Sequence, residues 1–239
     1  MSTLLLRLAG PLQSWGVKSR FTVRGTELAP TKSGIIGMLA AALGRRRTDP
    51  LEDLLQLRFG VRKDQPGRIL RDFHTAHDRK GGSMPLSERY YLSDAAFLAG
   101  IEGEEELLHG LDEAVRSPQF PLYLGRRSCP PSLPISLGLR DRDLLSALKA
   151  EPWQASAWFI RRHRALVAEV LIDKESVSQE TSVGDVRSMR DVPVSFDPEY
   201  RDYGFREVER LTVMLGDSIA DPHDPMSIVE EAGNVPIQA

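Results

Sequence analysis

Between Tyr123 and Pro134 the backbone is left few choices. The run YLGRRSCP (123–130) sets a glycine, free to take angles closed to other residues, directly before two arginines, and Pro130, Pro131 and Pro134 then stiffen the next segment. Two adjacent guanidiniums make a poor core, whereas a rigid turn presenting them suits bidentate contact with phosphate. The run therefore predicts Arg126, Arg127 and Ser128 on a stiff loop, with Cys129 buried among the prolines. A solvated basic turn beside a buried cysteine has the same composition, and this run alone does not separate the two.

The distribution of charge narrows the choice. The net charge of -3 resolves into +7 over residues 1–99, -5 over 100–120, +5 over 121–164 and -10 over 165–239. Two basic blocks alternating with two acidic ones favour a nucleic-acid face on one side and a solvated or protein-facing surface on the other. Of the 31 basic residues 25 are arginine, the better residue for phosphate forks and base stacking, although codon bias yields the same preference. The single cysteine excludes an internal disulfide and a cysteine-cluster zinc site. Leu4–Leu6 is too short for a signal-peptide core and no apolar run approaches a bilayer span, so a cytoplasmic protein without a membrane partner is expected.

Along the chain, Thr3 to Leu8 reads as a strand stopped by Gly10-Pro11, followed by a Gln13–Gly16 loop and an extended polar stretch with Lys18, Arg20 and Arg24. PTKSGIIGMLAAALG (30–44) predicts a buried helix capped by Thr31 or Ser33 and ended by Gly44. A short helix comes after Asp49-Pro50, and Leu57 to Arg62 reads as a strand. Leu70–His77 and Glu88–Phe97 form two arms around Lys80-Gly81-Gly82, a hairpin too charged to pack inside. An amphipathic helix spans Glu104–Arg116, a polar helix lies near Asp141–Lys149, and strands are expected at Ala165–Ile172 and Val208–Leu215. The order predicts an α+β fold, an RRM-like or ferredoxin-like antiparallel sheet with helices on one face and a projecting hairpin. Residues 1–150 would form this palm, 151–215 a smaller β-rich part and 216–239 an acidic, loosely held tail.

Several chemistries are weighed against the residues. His74 and His77 are spaced i, i+3, which in an extended arm puts the rings on opposite faces, so no metal site is expected. Thr31-Lys32-Ser33 at a helix start lacks the glycine-lysine spacing of a phosphate loop; what remains is a helix N-terminus with Lys32, suited either to a phosphate or to plain capping. On the outgoing hairpin arm Arg89, Tyr90 and Tyr91 suit base stacking, but period two turns one tyrosine into the core. Trp153, Trp158 and Phe159 are expected to pack rather than bind.

LRLAGPLQSWG (Leu6 to Gly16), PTKSGIIGMLAAALG, LRDFHTA (70–76), YLSDAAF (91–97) and YLGRRSCP, in this order, resemble the CasD family of subtype I-E CRISPR systems, closely over residues 4 to 135 and loosely beyond. The resemblance implies a subunit of Cascade, the RNA-guided surveillance complex of antiviral defence, with an RRM-like palm and a thumb hairpin, here His77 to Tyr90, that clamps the 5′ handle of the guide RNA. It implies as partners the CRISPR guide RNA, the Cascade backbone subunits and the large subunit, with target DNA met indirectly. The RNA grip carries over onto Arg126, Arg127, Ser128, Lys32, Ser33, Arg71 and His74; Arg79 and Arg89 on the hairpin, and Arg20 and Arg24, complete the candidate RNA-binding set. Relatives in another subtype cut precursor RNA with tyrosine, lysine and histidine, but no histidine here comes directly after a lysine. A non-catalytic subunit without cofactor or metal is expected; the alternative is a metal-independent endoribonuclease with His74 or His77 as general base.

Overall fold

The computed structural model describes residues 2–16, 19–20, 22–182, 184–197 and 199–216. From residue 217 on, the expected acidic tail lies outside the described residues.

Strand β1 (Ser2–Ala9) is an interior strand of the palm. Its leucine run is buried on both faces: Leu4, Leu6 and Leu8 enter one core and Leu5 the other. Short strands β2 (Leu12–Gln13), β3 (Ser19–Arg20) and β4 (Val23–Arg24) lead to helix α1 (Lys32–Ala42). Thr31 caps that helix, its Oγ1 accepting from the Gly34 amide at 3.2 Å. Next in the chain are helix α2 (Glu52–Leu55), strand β5 (Arg58–Gln65), the hairpin β6 (Arg68–His74) and β7 (Ser87–Ser93), strand β8 (Ala96–Gly103) and helix α3 (Glu105–Arg116). After the proline-rich segment come β9 (Ser136–Arg140), α4 (Leu144–Ala150), α5 (Ala157–His163), β10 (Ala165–Asp173), β11 (Val186–Ser195) and β12 (Asp202–Gly216).

Seven strands make one antiparallel sheet in the order β11-β12-β10-β5-β8-β1-β9. The α+β reading and its large antiparallel sheet hold. Two features differ from the sequence expectation. Helices cover both faces: α1 and α3 bury Ile35, Ile36, Leu39, Leu108 and Leu111 on one, while α4 buries Leu144, Leu145 and Leu148 on the other. The strands of residues 151–215 also extend the palm's own sheet, because β10 pairs with β5 at Val170↔Arg62.

The hairpin belongs to a second sheet. β6 pairs with the whole length of β7, Arg68↔Ser93 to His74↔Ser87, so β2 and β4 share the opposite edge of β7. Register fixes where the hairpin stands. Gln65 lies opposite Ala96, and Ala96 opposite Ala9, so β5 and β1 end, and β8 begins, at one end of the large sheet. The hairpin leaves from that end.

Candidate nucleic-acid interface

Three loops converge at this end of the sheet. Gln13, fully buried, donates from Nε2 to the Leu8 and Ala95 carbonyls (2.9 and 2.8 Å) and accepts at Oε1 from the Trp15 indole (3.0 Å). The buried Trp15 ring then packs so closely on α1 that a Cβ at Gly34 would meet it at 2.8 Å. Ser14 binds in two directions, its amide donating to the Leu124 carbonyl (3.0 Å) and its Oγ to the Tyr90 carbonyl (3.1 Å).

Against this scaffold sits the glycine turn. Gly125 has φ +91, and a Cβ there would fall 1.8 Å from the Ser14 carbonyl oxygen, so only glycine fits. Leu124 and Cys129, both with no exposed surface, anchor the turn in the α1-side core, joined by a Leu124 amide to Cys129 carbonyl bond of 2.7 Å. Burial pushes the Cys129 thiol above its ordinary range, in keeping with its place as a packed anchor of the turn.

The two arginines have different tasks. Arg126 is half-buried and donates to three backbone carbonyls, Tyr90 at 3.2 Å, Arg24 at 2.8 Å and Gly25 at 3.1 Å, while its guanidinium lies 4.9 Å from the Tyr91 ring centroid. It ties the turn to β4 and β7. No carboxylate neutralises it among the described residues. Arg127 and Ser128 are exposed beyond it, and Arg127 has no ion-pair partner among the described residues.

Tyr91 closes the cluster. It is buried, as one of the two tyrosines was expected to be, with its hydroxyl 3.5 Å from Ser128 Oγ. Burial pushes its phenol up, but the Ser128 hydroxyl and the guanidiniums of Arg126 and Arg89 favour the phenolate, leaving it net below its ordinary range. Arg89 is half-buried and pairs in register with the exposed Arg24 across β7 and β4. Arg24, Arg89, Arg126, Arg127 and Ser128 are thus brought to one place. Arg20 lies on β3, where the backbone alone is described.

On the hairpin, Arg71 is exposed and ion-paired to Glu88, which raises its pKa further. His74 Nε2 is 2.9 Å from Asp72 Oδ2. Arg79 is exposed at the tip, which Asp78 orders by accepting at Oδ1 from the Lys80 and Gly82 amides (2.8 and 2.7 Å). Among the described residues no three histidine, cysteine or acidic groups are placed to hold a metal ion.

Lys32 needs a correction. Its ammonium is buried 3.1 Å from Asp173 Oδ2, and its amide, the first of α1, donates to Asp191 Oδ2 at 2.8 Å. Arg206 completes the network by binding both carboxylates, with Nε 2.7 Å from Asp191 Oδ1. Two acids from β10 and β11 therefore occupy the place assigned to a phosphate. Ser33 is also buried, but it lines a cleft of about 310 Å³ together with Gly125, Arg47, Arg201 and Tyr203. Of these, Arg47 was missed by the sequence reading, although its place at the end of three consecutive arginines marks it; Arg201 and Tyr203, just before and within β12, come from far along the chain and carry no local signal. Trp158 is a second correction, standing 53% exposed where packing was expected.

The sequence profile of the family described as CRISPR-associated protein (Cas_Cas5) matches residues 3–209. The chain is 37% identical over 158 residues to the CRISPR system Cascade subunit CasD of Escherichia coli (strain K12), covering 57% of this chain and 70% of that protein. A solved chain described as belonging to a CRISPR RNA-guided surveillance complex superposes with a TM-score of 0.71 at 32% identity, over 90% of this chain and 91% of the other. A crystal structure of a Cas protein gives 0.66 at 39% identity, over 88% and 94%.

Proposed function

Since the chain belongs to the Cas5 family of CRISPR-associated proteins, we propose that it is a non-catalytic subunit of a CRISPR RNA-guided surveillance complex and that it clamps the 5′ handle of the guide RNA at the glycine turn. The observation that carries this reading is the uncompensated positive charge there: Arg126 is held by carbonyls and not by carboxylates, while Arg127 and Ser128 stand open beside Arg24 and Arg89. Phosphates satisfy such a cluster without displacing an internal acid. The neighbouring cleft, with Ser33 on one wall and Arg47 and Arg201 on others, offers room for the strand to continue. The hairpin carries Arg71, His74 and Arg79 outward, toward the first spacer nucleotides and the backbone subunits. Holding a single strand requires no cleavage chemistry, and His74, paired to Asp72 on an exposed arm, is used as a contact.

The test is charge reversal at the exposed arginine. Arg127→Glu in the assembled complex is expected to lower guide retention at least tenfold at moderate salt with an unchanged melting temperature, and Arg127→Ala to reduce the slope of log affinity against log salt by about 0.7, the amount for one single-strand phosphate. Normal guide retention by Arg127→Glu would remove the turn from the interface. Discrete cleavage of repeat RNA in EDTA, abolished by His74→Ala, would instead favour the endoribonuclease.

A further inference from the structure

Helix α5 buries none of its residues, yet it is fixed in place. The segment leading into it is sewn to the end of β5: the Trp153 indole donates to the Asp64 carbonyl (2.7 Å), the Gln154 amide to Asp64 Oδ2 (2.6 Å), and both the amide and Oγ of Ser156 to Gln65 Oε1 (3.1 and 2.8 Å). From this base Arg161, Arg162, His163 and Arg164 project in one exposed run with no acid on the helix, and the three arginines have no ion-pair partner among the described residues. One cation in a last turn serves the helix dipole. Three unpaired arginines exceed that need.

Two further observations point to a ligand. Trp158 stands exposed, supported edge-on by Phe159 at 5.6 Å, and Phe159 in turn lies 4.1 Å from the His163 ring, so a propped aromatic surface adjoins the arginines. Arg164 ends the helix at φ +57, a region where glycine is the usual choice; the chain keeps an arginine there against a backbone cost. The patch also has a definite place. β10 runs antiparallel to β5, so Arg164 and Ala165 lie at the same end of the sheet as the hairpin and the glycine turn. The turn packs into the α1-side core, whereas α5 is reached from the α4 side, where Arg62 and Asp64 point. The two basic surfaces flank the hairpin from opposite faces.

We propose that α5 is a second nucleic-acid contact, which takes a single DNA strand with phosphates on Arg161, Arg162 and Arg164 and a base stacked on Trp158. It rests on the guide-binding reading only in assigning the glycine turn to RNA. Because the two surfaces lie on opposite faces of the sheet, the proposal assigns to α5 a strand other than the guide. Exposed tryptophan beside arginine is the chemistry of single-strand binding, in which any base offers a face to stack.

The test uses the full chain carrying its guide RNA and a labelled 12-nucleotide oligo-dT, followed by anisotropy. Arg161→Ala/Arg162→Ala/Arg164→Ala is expected to weaken oligo-dT binding at least tenfold and to flatten the salt slope by about 2, three phosphates' worth at about 0.7 each. Trp158→Ala is expected to weaken it about tenfold without that change of slope. Arg164→Gly should keep or raise the melting temperature while losing affinity, which a purely structural role for Arg164 does not give. Guide retention should be unchanged in all of them, and Arg127→Glu should leave oligo-dT binding within twofold. Unaltered oligo-dT affinity in the triple variant, equal loss in Arg127→Glu, loss of guide in the α5 variants, or equally tight binding of a 12-base-pair duplex would each overturn the proposal.

Discussion

The start of α1 and the glycine turn carry the same kind of signal, cations beside freely accessible backbone amides, and they end in opposite environments. At α1, Lys32 and its amide are consumed by Asp173 and Asp191, with Arg206 balancing the charge. At the turn, Arg126 is consumed by carbonyls, which hold a guanidinium without cancelling it, and Arg127 is left to solvent. A buried neutral network contributes to fixing β10, β11 and β12 on the helix; an array of carbonyl-held arginines leaves a field that reaches outward. What separates a neutralised basic group from an available one here is whether the group that reaches it from elsewhere in the chain carries a full negative charge.

The largest way to break this contrast is Asp173→Ala. It strips buried Lys32 and Arg206 of a shared partner, and a loss of about 3–5 kcal/mol is expected in urea unfolding, the range for breaking a buried ion pair. Guide affinity per folded molecule should be unchanged. A stability loss under about 1 kcal/mol, well short of that range, or selective loss of guide, would put α1 back among the binding elements.

Arg126→Ala sits between the two regimes. Three carbonyls lose a charged donor and the Tyr91 ring its cation, so a loss of about 1–2 kcal/mol is expected together with weakened guide retention. Charge reversal that leaves the fold intact is accordingly expected at Arg127 and not at Arg126. Equal stability of the Arg126→Ala and Arg127→Ala proteins would erase the division of labour between them.

The smallest effect is spectroscopic. With its phenol brought below the ordinary range, Tyr91 is expected to ionise early in an absorbance titration, and Arg126→Ala should move that step upward. At any pH where both folded and unfolded chains keep the proton, the phenol adds nothing to stability. Above the folded value the phenolate is favoured in the native state, with the full contribution reached only past the unfolded value of about 10. A titration unchanged by the variant would mean that Arg126 does not set the phenol.

Much of the scaffold was legible because its determinants are local. Apolar spacing and the Thr31 cap marked α1, whose observed span lies inside the expected one; alternation marked β10; and the two arms around Lys80-Gly81-Gly82 marked the hairpin. β9, α5 and β11 went unread, and the single arm expected over Glu88–Phe97 covers β7 and only the start of β8, whose remainder was unread too. β9 is a half-buried edge strand, α5 has no buried stripe to announce a period, and β11 carries a proline and register shifts that blur alternation. The site obeyed the same rule. Gly125, Arg127 and Ser128 lie in one short run whose geometry the run itself dictates, whereas Arg201 and Tyr203 join Ser33 only after β12 has folded back on the palm.

By itself the sequence determined the turn, since a glycine before two arginines, closed by prolines and anchored by Leu124 and Cys129, has few other shapes to take. It also determined that one of Tyr90 and Tyr91 must face inward. Only the tertiary structure decided which cations remain available. That outcome turns on whether an acid more than a hundred residues away arrives within a few ångströms, as Asp173 does at Lys32, and nothing in the local run encodes that meeting.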